Sequence, residues 1–81
     1  MDDLRWYVYI VRCSDETLYT GITVDIRRRM YAHNTGKGAK YTSSRRPVSL
    51  HYQEGPMTQS EALRRELVIK AMSREGKEAL R

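Results

Sequence analysis

Eighty-one residues, 40% of them apolar, are enough for one domain with a modest core, which excludes a disordered tail and leaves no room for a second domain. Cys13 is the only cysteine, so an intrachain disulfide is excluded, and one cysteine with two histidines cannot complete a structural zinc site. The acidic start, Met1 to Asp3, precedes no long apolar run, so we expect no signal peptide, no membrane span and a cytoplasmic location.

The net charge of +5 is unevenly distributed along the chain. No acidic residue occurs from Ile26 to Gln53, whereas this segment contains seven cations: Arg27, Arg28, Arg29, Lys37, Lys40, Arg45 and Arg46. A segment of one sign gives a basic surface in any fold, and a polyanion such as nucleic acid is its expected partner.

The first two predicted elements are strands joined by a polar turn at Cys13–Glu16. The first strand, Trp6–Arg12, is aromatic and β-branched, and its two rows are Trp6, Val8 and Ile10 on one face and Tyr7, Tyr9 and Val11 on the other. The second strand, about Leu18–Thr23, returns as a hairpin. Because a register shift of one residue moves a side chain to the opposite face, the sequence leaves open whether Tyr9 and Tyr19 lie together.

A helix is predicted directly after the second strand, with either Thr23 or Asp25 as its cap. Ile26 and Met30 form a narrow apolar stripe, Arg28 lies opposite to it, and Arg27 and Arg29 lie on its two edges. His33 follows Arg29 by four residues and shares its face. An arginine and a histidine beside a strand with Tyr-x-Gly can bind and process a phosphate. The alternative is a solvated charged face with a surface histidine.

The segment from Asn34 to Pro47 is predicted to be a long loop rich in glycine, hydroxyl groups and cations. Gly36 and Gly38 would let backbone N–H groups approach an anion, and the Tyr41 ring would stack on a base or a sugar. The alternative is a mobile surface loop without a role.

A third strand, Val48–Gln53, is predicted next, with Val48, Leu50 and Tyr52 on one face. His51 is expected at the surface, and Glu54-Gly55-Pro56 is expected to end the strand.

The following helix begins at a capping box of Thr58 and Glu61 and runs to about Met72. We expect its buried surface to consist of Ala62, Leu63, Leu67, Ile69 and Ala71. Ser73 would cap a final short helix, Arg74–Leu80, and the carboxylates of Glu61, Glu75 and Glu78 are expected to be solvated.

Glu66 stands within or beside the apolar side of that helix. A carboxylate at such a position is costly unless a cation or a metal ion compensates its charge. Lys70, one turn later, is the simpler partner. The pattern therefore allows either an ion pair or a metal ligand.

Together these residues resemble the GIY-YIG nuclease family. Tyr7-Val8-Tyr9 and Tyr19-Thr20-Gly21 correspond to its two signature tripeptides, Arg29 to its arginine, His33 to a histidine found in several members, and Glu66 to its metal-binding glutamate. The run from His33 to Thr42, ending at Pro47, is similar to the small standalone bacterial members and to the nuclease subunit that cuts branched DNA. The chain departs from the family in its first tripeptide, Tyr-Val-Tyr instead of Gly-Ile-Tyr, and in Ile22, where some members have a lysine.

The resemblance implies one α+β domain over residues 1–81, a three-stranded antiparallel sheet flanked by helices in the order β-β-α-β-α-α. It also implies a metal-dependent endonuclease, acting on DNA rather than RNA, with little sequence specificity and a role in DNA repair or recombination. Because the extra DNA-binding or zinc module of larger members is not expected here, a protein partner would supply specificity. The alternatives are a non-catalytic nucleic-acid-binding module and a scaffold for a larger nuclease.

The resemblance further assigns roles to individual residues. The expected catalytic residues are Tyr9, Tyr19, Arg29, His33 and Glu66, with Glu66 holding a single Mg²⁺ or Mn²⁺. Independently of the resemblance, the acid-free segment and the Tyr41 ring give the expected nucleic-acid-binding residues: Arg27, Arg28, Lys37, Lys40, Tyr41, Arg45 and Arg46. Tyr9 would be the general base or would orient the attacking water. Since a free tyrosine has a pKa of about 10, its neighbours would have to lower that pKa for it to act as a base near pH 7.

Overall fold

The computed structural model of the protein describes residues 3–81, which form a three-stranded antiparallel sheet with helices on both faces. In chain order the elements are β1 (Trp6–Arg12), β2 (Leu18–Thr23), α1 (Ile26–Asn34), α2 (Lys40–Ser43), β3 (Ser49–Met57), α3 (Gln59–Lys70) and α4 (Arg74–Ala79). The predicted α+β class is confirmed. The predicted order lacked α2, a short helix inside the segment that was expected to be a loop. The acidic start at Met1 and Asp2 lies outside the described residues.

β1 is the central strand, with β2 on one side and β3 on the other. Its residues Val8 to Val11 are completely buried, as expected for a strand covered on both faces. Tyr9 pairs with Gly21 of β2, and Val11 pairs with Tyr19. Because directly paired residues of neighbouring strands point to the same face, this register places Tyr9 and Tyr19 together.

The alternation along β1 divides the core into two clusters, as predicted. Val8 and Ile10 pack against Ala62 and Ile69 of α3, on the face that we call the α3 face. On the other face, which we call the α1 face, Tyr9 and Val11 cluster with Cys13 and Val48, and Ile26 and Met30 of α1 pack against this cluster.

The prediction for β3 was wrong in two respects, both because of irregular pairing with β1. The strand continues to Met57 through Gly55 and Pro56, which an edge strand tolerates. Gly55 has φ +134, and a Cβ there would lie 2.6 Å from the Trp6 carbonyl oxygen. A second register shift, between Ile10 and Val11, reverses the alternation of β3. Val48 consequently packs on the α1 face and Tyr52 on the α3 face, instead of sharing one face.

α3 begins at the predicted capping box, in which the Thr58 hydroxyl accepts from Glu61 N at 3.1 Å and Thr58 N donates to Glu61 Oε1 at 2.9 Å. The predicted buried surface of α3 was only partly correct, because the helix turns Ala62 and Ile69 towards the sheet and leaves Leu63 45% and Leu67 68% exposed. This rotation places the side chain of Glu66, which is 18% exposed, on the sheet-facing side.

α4 is capped by Ser73, whose hydroxyl accepts from Gly76 N, as predicted. The expectation that Glu78 is solvated was wrong, because its carboxylate pairs with the Arg12 guanidinium of β1. The neighbouring His51 side chain donates from Nε2 to the Lys77 carbonyl at 3.1 Å. Both contacts hold α4 against the sheet. None of the helices within residues 3–81 is long and apolar enough to cross a lipid bilayer.

Candidate active site

A hydrogen-bonded chain of side chains, which we call the Tyr9 network, joins β1, α1 and α2 on the α1 face. Arg29 Nε donates to the Tyr9 hydroxyl at 3.2 Å, the Tyr9 oxygen lies 2.8 Å from His33 Nε2, and His33 Nδ1 lies 2.7 Å from the Thr42 hydroxyl oxygen. Tyr9, His33 and Thr42 are fully buried. The alternative that His33 is a surface histidine was therefore wrong.

The donors at the two ends of the Tyr9 network determine where its protons lie. A guanidinium has no acceptor, so Tyr9 accepts from Arg29, and its own O–H donates to His33 Nε2 when that nitrogen carries no proton. At the other end the Thr42 hydroxyl donates to the Ala39 carbonyl at 3.0 Å, and it therefore accepts from His33 Nδ1. The Thr42 end thus places a proton on His33 Nδ1, and in a neutral His33 the bare Nε2 then accepts the Tyr9 O–H.

The pKa values of the two central groups shift in directions that agree with this arrangement. Burial lowers the pKa of His33, and the nearby positive charge of Arg29 lowers it further. Burial raises the pKa of Tyr9, and this outweighs the hydrogen bond and the charge of Arg29, which act in the opposite direction. The protein's own groups therefore keep Tyr9 protonated near pH 7, contrary to the lowered pKa that a tyrosinate base requires.

Two glycines give the rings of the Tyr9 network their space. A Cβ at Gly21 would lie 2.5 Å from the Tyr9 hydroxyl oxygen, so only glycine permits Tyr9 to lie across β2. A Cβ at Gly38 would overlap the His33 ring. Gly38, whose backbone N–H was expected to approach an anion, packs against the His33 ring. Tyr19 completes the cluster, with its ring edge-on to His33 at 5.6 Å between centroids.

The start of α1 forms one side of an open cleft next to the Tyr9 network. Asp25, one of the two predicted caps, accepts from Arg28 N at 3.0 Å. The cleft has a volume of about 380 Å³ and is lined by Thr23, Val24, Asp25, Arg28, Arg29 and Ala32. Arg29 thus lines the cleft and also bonds to Tyr9, while Arg28 contributes a second positive charge to the same cleft.

The cations of the 34–47 segment fall into two groups. Arg45 donates to Asp15 at 3.0 Å and to the Tyr41 carbonyl at 2.8 Å, and its guanidinium lies 3.9 Å from the Tyr41 ring centroid. Arg46 donates to the carbonyls of Ser43 and Asn34. Arg45 and Arg46 therefore hold the segment in its conformation. Lys37 and Lys40 are exposed, and neither forms an ion pair within residues 3–81.

The Tyr41 ring, expected to stack on a base or a sugar, has stacking partners within the protein. It stacks on Tyr19 with 5.8 Å between centroids, and it contacts the Arg45 guanidinium. Tyr41 thus links the 34–47 segment to the aromatic cluster around His33.

Glu66 lies on α3 and forms an ion pair, one of the two alternatives that its sequence position allowed, with Lys70 Nζ 3.4 Å from its Oε2. Its negative charge is one of the influences that raise the pKa of Tyr9, so it lies within electrostatic range of the Tyr9 network. Within residues 3–81 no three His, Cys, Asp or Glu side chains gather into a metal site. A lone, mostly buried carboxylate fits Mg²⁺ or Mn²⁺, which keep several waters and accept phosphate oxygens as further ligands.

Comparison with known proteins agrees with this geometry. A model of the GIY-YIG catalytic domain matches residues 5–79. The chain belongs to this family of nuclease domains. It is 58% identical to the UPF0213 protein SH2523 of Staphylococcus haemolyticus over 73 aligned residues. The alignment covers 90% of this chain and 89% of that protein. The resemblance seen in the sequence is confirmed.

Two solution NMR structures have the same fold as this GIY-YIG chain. The UPF0213 protein BH0048 from Bacillus halodurans has a TM-score of 0.56 and 45% identity, over 90% of this chain and 78% of that one. The protein EF2693 from E. faecalis has a TM-score of 0.62 and 40% identity, over 96% of this chain and 84% of that one.

Sequence reasoning anticipated Tyr9, Tyr19, Arg29 and His33, which the fold brings into one cluster. It missed Thr42 as a partner of His33. In the sequence Thr42 stands beside Ser43 and Ser44 in a hydroxyl-rich run, and no periodicity distinguishes it from them.

Proposed function

We propose that this GIY-YIG chain is a metal-dependent endonuclease that hydrolyses phosphodiester bonds, in DNA rather than RNA, with little sequence specificity and a role in DNA repair or recombination. The observation that carries the proposal is the buried Tyr9 network, whose Arg29 also lines a cleft with a second arginine. A tyrosine hydroxyl bonded to a neutral histidine can move a proton, and two guanidinium groups can bind a phosphate.

The Tyr9 network supplies a general base without requiring a free tyrosinate. The Tyr9 oxygen accepts from Arg29 and keeps one lone pair for a proton of the attacking water. As the water oxygen bonds to phosphorus, its proton passes to Tyr9, and the Tyr9 proton passes to His33 Nε2. The bond from phosphorus to the leaving 3′-oxygen breaks, and that oxygen takes a proton from solvent. His33 is suited to this role because it starts out neutral.

Arg29 has a second task in this mechanism. Only its Nε is hydrogen-bonded within residues 3–81, which leaves its terminal nitrogens for the phosphate. Positive donors aimed at the non-bridging oxygens stabilise the charge that develops on them in the transition state. Arg28, on the same wall of the cleft, would bind a neighbouring phosphate.

Glu66 is the residue that would hold Mg²⁺ or Mn²⁺. When bound, the ion supplies stabilisation of the negative charge on the leaving 3′-oxygen. In the structure Lys70 forms an ion pair with the carboxylate of Glu66 and neutralises this mostly buried charge.

The nucleic acid would be bound mainly through its phosphates. Four exposed cations around the cleft and the 34–47 segment have side chains that form no hydrogen bond or ion pair within residues 3–81: Arg27, Arg28, Lys37 and Lys40. Tyr41, Arg45 and Arg46 would contribute indirectly, by holding the segment that presents Lys37 and Lys40. Because such contacts carry no sequence information, a protein partner would have to supply specificity.

A second candidate function is a non-catalytic nucleic-acid-binding module on the same fold. The Glu66–Lys70 ion pair favours it, because a carboxylate satisfied by a lysine needs no metal. The two candidates share the same basic surface, and they differ only in metal-dependent strand cleavage.

The test is incubation with labelled single-stranded, duplex and branched DNA and with RNA, with and without Mg²⁺ or Mn²⁺. We expect metal-dependent cleavage of DNA, lost in Glu66→Gln with nearly unchanged binding and retained in Glu75→Gln, which replaces an exposed carboxylate on α4. Wild-type cleavage by Glu66→Gln would refute the metal-site assignment. Binding without cleavage by the wild-type protein would establish the second candidate.

A further inference from the structure

The buried hydroxyl of Thr42 is the one member of the Tyr9 network without an assigned role. We propose that Thr42 is a positioning residue that fixes the tautomer of His33 and thereby the direction of proton transfer from Tyr9. This inference rests on the proposed function, because it concerns the base that activates the attacking water. The Thr42 hydroxyl forms no hydrogen bond with Tyr9 and does not line the cleft, so its effect is transmitted through His33.

The Thr42 hydroxyl uses all of its hydrogen-bonding capacity. It donates to the Ala39 carbonyl at 3.0 Å, accepts from Ala39 N at 3.3 Å, and accepts from His33 Nδ1 at 2.7 Å. A hydroxyl has one proton and two lone pairs, so these three hydrogen bonds use its full capacity. With the hydroxyl proton on the Ala39 carbonyl, Thr42 accepts from His33, and this requires a proton on Nδ1.

The opposite tautomer would disable the base. With its proton on Nε2, His33 would donate to the Tyr9 oxygen, which already accepts from Arg29. Both lone pairs of Tyr9 would then be occupied, and its own proton would point away from His33. Tyr9 would have neither a lone pair for a proton of the water nor an acceptor for its own proton. The Thr42 contact therefore decides whether the Tyr9 network accepts a proton.

The backbone places Thr42 for this contact. Thr42 stands three residues after the cap position Ala39, in the four-residue helix α2, and its hydroxyl closes back on both backbone groups of Ala39. Gly38, immediately before, packs against the His33 ring where any Cβ would overlap it. The ring is consequently held at Nδ1 by the hydroxyl and along its side by the backbone of the same short segment.

The first measurement is the tautomer of His33 in the wild-type protein by ¹⁵N NMR, with His51→Gln to assign the two histidines. We expect the proton on Nδ1. A proton on Nε2 overturns the proposal, whatever the variants below do. If the wild-type protein cleaves no nucleic acid, the proposed function fails, whereas this measurement still decides the tautomer.

The second measurement compares variants in single-turnover cleavage and in binding. Thr42→Val keeps the shape and removes the hydroxyl, and we expect a rate loss of about 10- to 100-fold, as is typical when the partner that orients a histidine is removed, with unchanged affinity. Thr42→Ser should restore the rate and the tautomer. Ser43→Ala removes a hydroxyl whose one hydrogen bond within residues 3–81 is to the Lys40 carbonyl on the same helix, and it should have no effect.

Two outcomes of the comparison count against the proposal. One is a folded Thr42→Val protein with the wild-type rate and tautomer. The other is a Thr42→Ser protein that is as slow as Thr42→Val, because a serine hydroxyl can make the same bond. If Thr42→Val does not fold, the wild-type tautomer and the Thr42→Ser rate decide the question.

Discussion

The two faces of the sheet are both covered by helices, but they are buried with different chemistry. On the α3 face, Val8 and Ile10 pack against Ala62 and Ile69 through dispersion and the hydrophobic effect. A partly exposed ion pair between Arg65 and Glu54 also joins α3 to β3. On the α1 face, the Tyr9 network runs through the interior, with His33 and Thr42 completely buried. The same strand, β1, supplies both faces by simple alternation.

The difference shows how a small domain separates stability from chemistry. Buried polar groups are costly unless every one is hydrogen-bonded, and within residues 3–81 no buried side-chain nitrogen or oxygen lacks a partner. The α1 face meets this condition and gains a fixed arrangement of proton donors and acceptors. Substitutions on the α1 face should therefore change rates, and substitutions on the α3 face should change stability. Glu66 is the exception, as a functional candidate on α3.

Among substitutions on the α1 face, the largest effect is expected for Arg29→Ala. Single-turnover cleavage should fall about 10²- to 10³-fold, because one preorganised donor to the transition state is lost together with the bond to Tyr9. Arg28→Ala should mainly weaken binding, since Arg28 lines the cleft without contacting Tyr9, and Arg27→Ala should change least. Equal losses in the three variants would show that these arginines are only a charged surface.

On the α3 face, Ile69→Ala should lower the free energy of unfolding by about 2–5 kcal/mol, the range for removing a buried aliphatic side chain. Leu67→Ala, on the exposed side of the same helix, should change it by less than about 0.5 kcal/mol. Urea denaturation measures both. The cleavage rate per folded Ile69→Ala molecule should stay near wild type. A large loss of cleavage rate in Ile69→Ala without a loss of stability would contradict the division of roles between the two faces.

The pH dependence of the free energy of unfolding should report the protonation of His33. Its pKa in the folded protein is lowered by burial and by Arg29, whereas in the unfolded chain it is about 6.5. Below about pH 6.5 the unfolded chain therefore takes up the proton first, and stability falls with falling pH until the folded-state pKa is reached. Cleavage should persist below pH 6.5 for the same reason, because His33 stays neutral.

The control for this pH dependence replaces each of the two histidines separately. His33→Gln should remove the loss of stability in this window, whereas His51→Gln should keep it. An unchanged pH profile of unfolding in His33→Gln would contradict the assignment of the effect to the buried ring.

The smallest effect concerns binding. If about four of the seven cations between Ile26 and Gln53 reach phosphates, log K against log salt for duplex DNA should have a slope of about −3 to −4 in the metal-free protein. Replacing Lys37 and Lys40 together by Gln should flatten the slope by up to about two units. Arg64→Gln, an exposed cation on α3, should leave it unchanged. A flat salt dependence, or preference for one duplex over a scrambled one, would indicate base readout.

The sequence by itself determined the features that depend on periodicity within one element. The two rows of β1, the capping box at Thr58 and Glu61, and the cap at Ser73 follow from local spacing and are present in the structure. The spacing of Arg29 and His33 likewise placed them on one face of α1, where both reach Tyr9. Such features need only the geometry of a single helix or strand.

The tertiary structure alone decided the features that depend on how elements pack. α3 has apolar residues on more than one side, so only packing against the sheet chose Ala62 and Ile69 over Leu63 and Leu67. The register of β2 brought Tyr9 and Tyr19 together, and the irregular pairing of β3 separated Val48 from Tyr52. The bond from His33 to Thr42 joins two helices through a turn that has no periodic signal. Register, helix rotation and loop closure are set by contacts between elements, and a local pattern does not contain them.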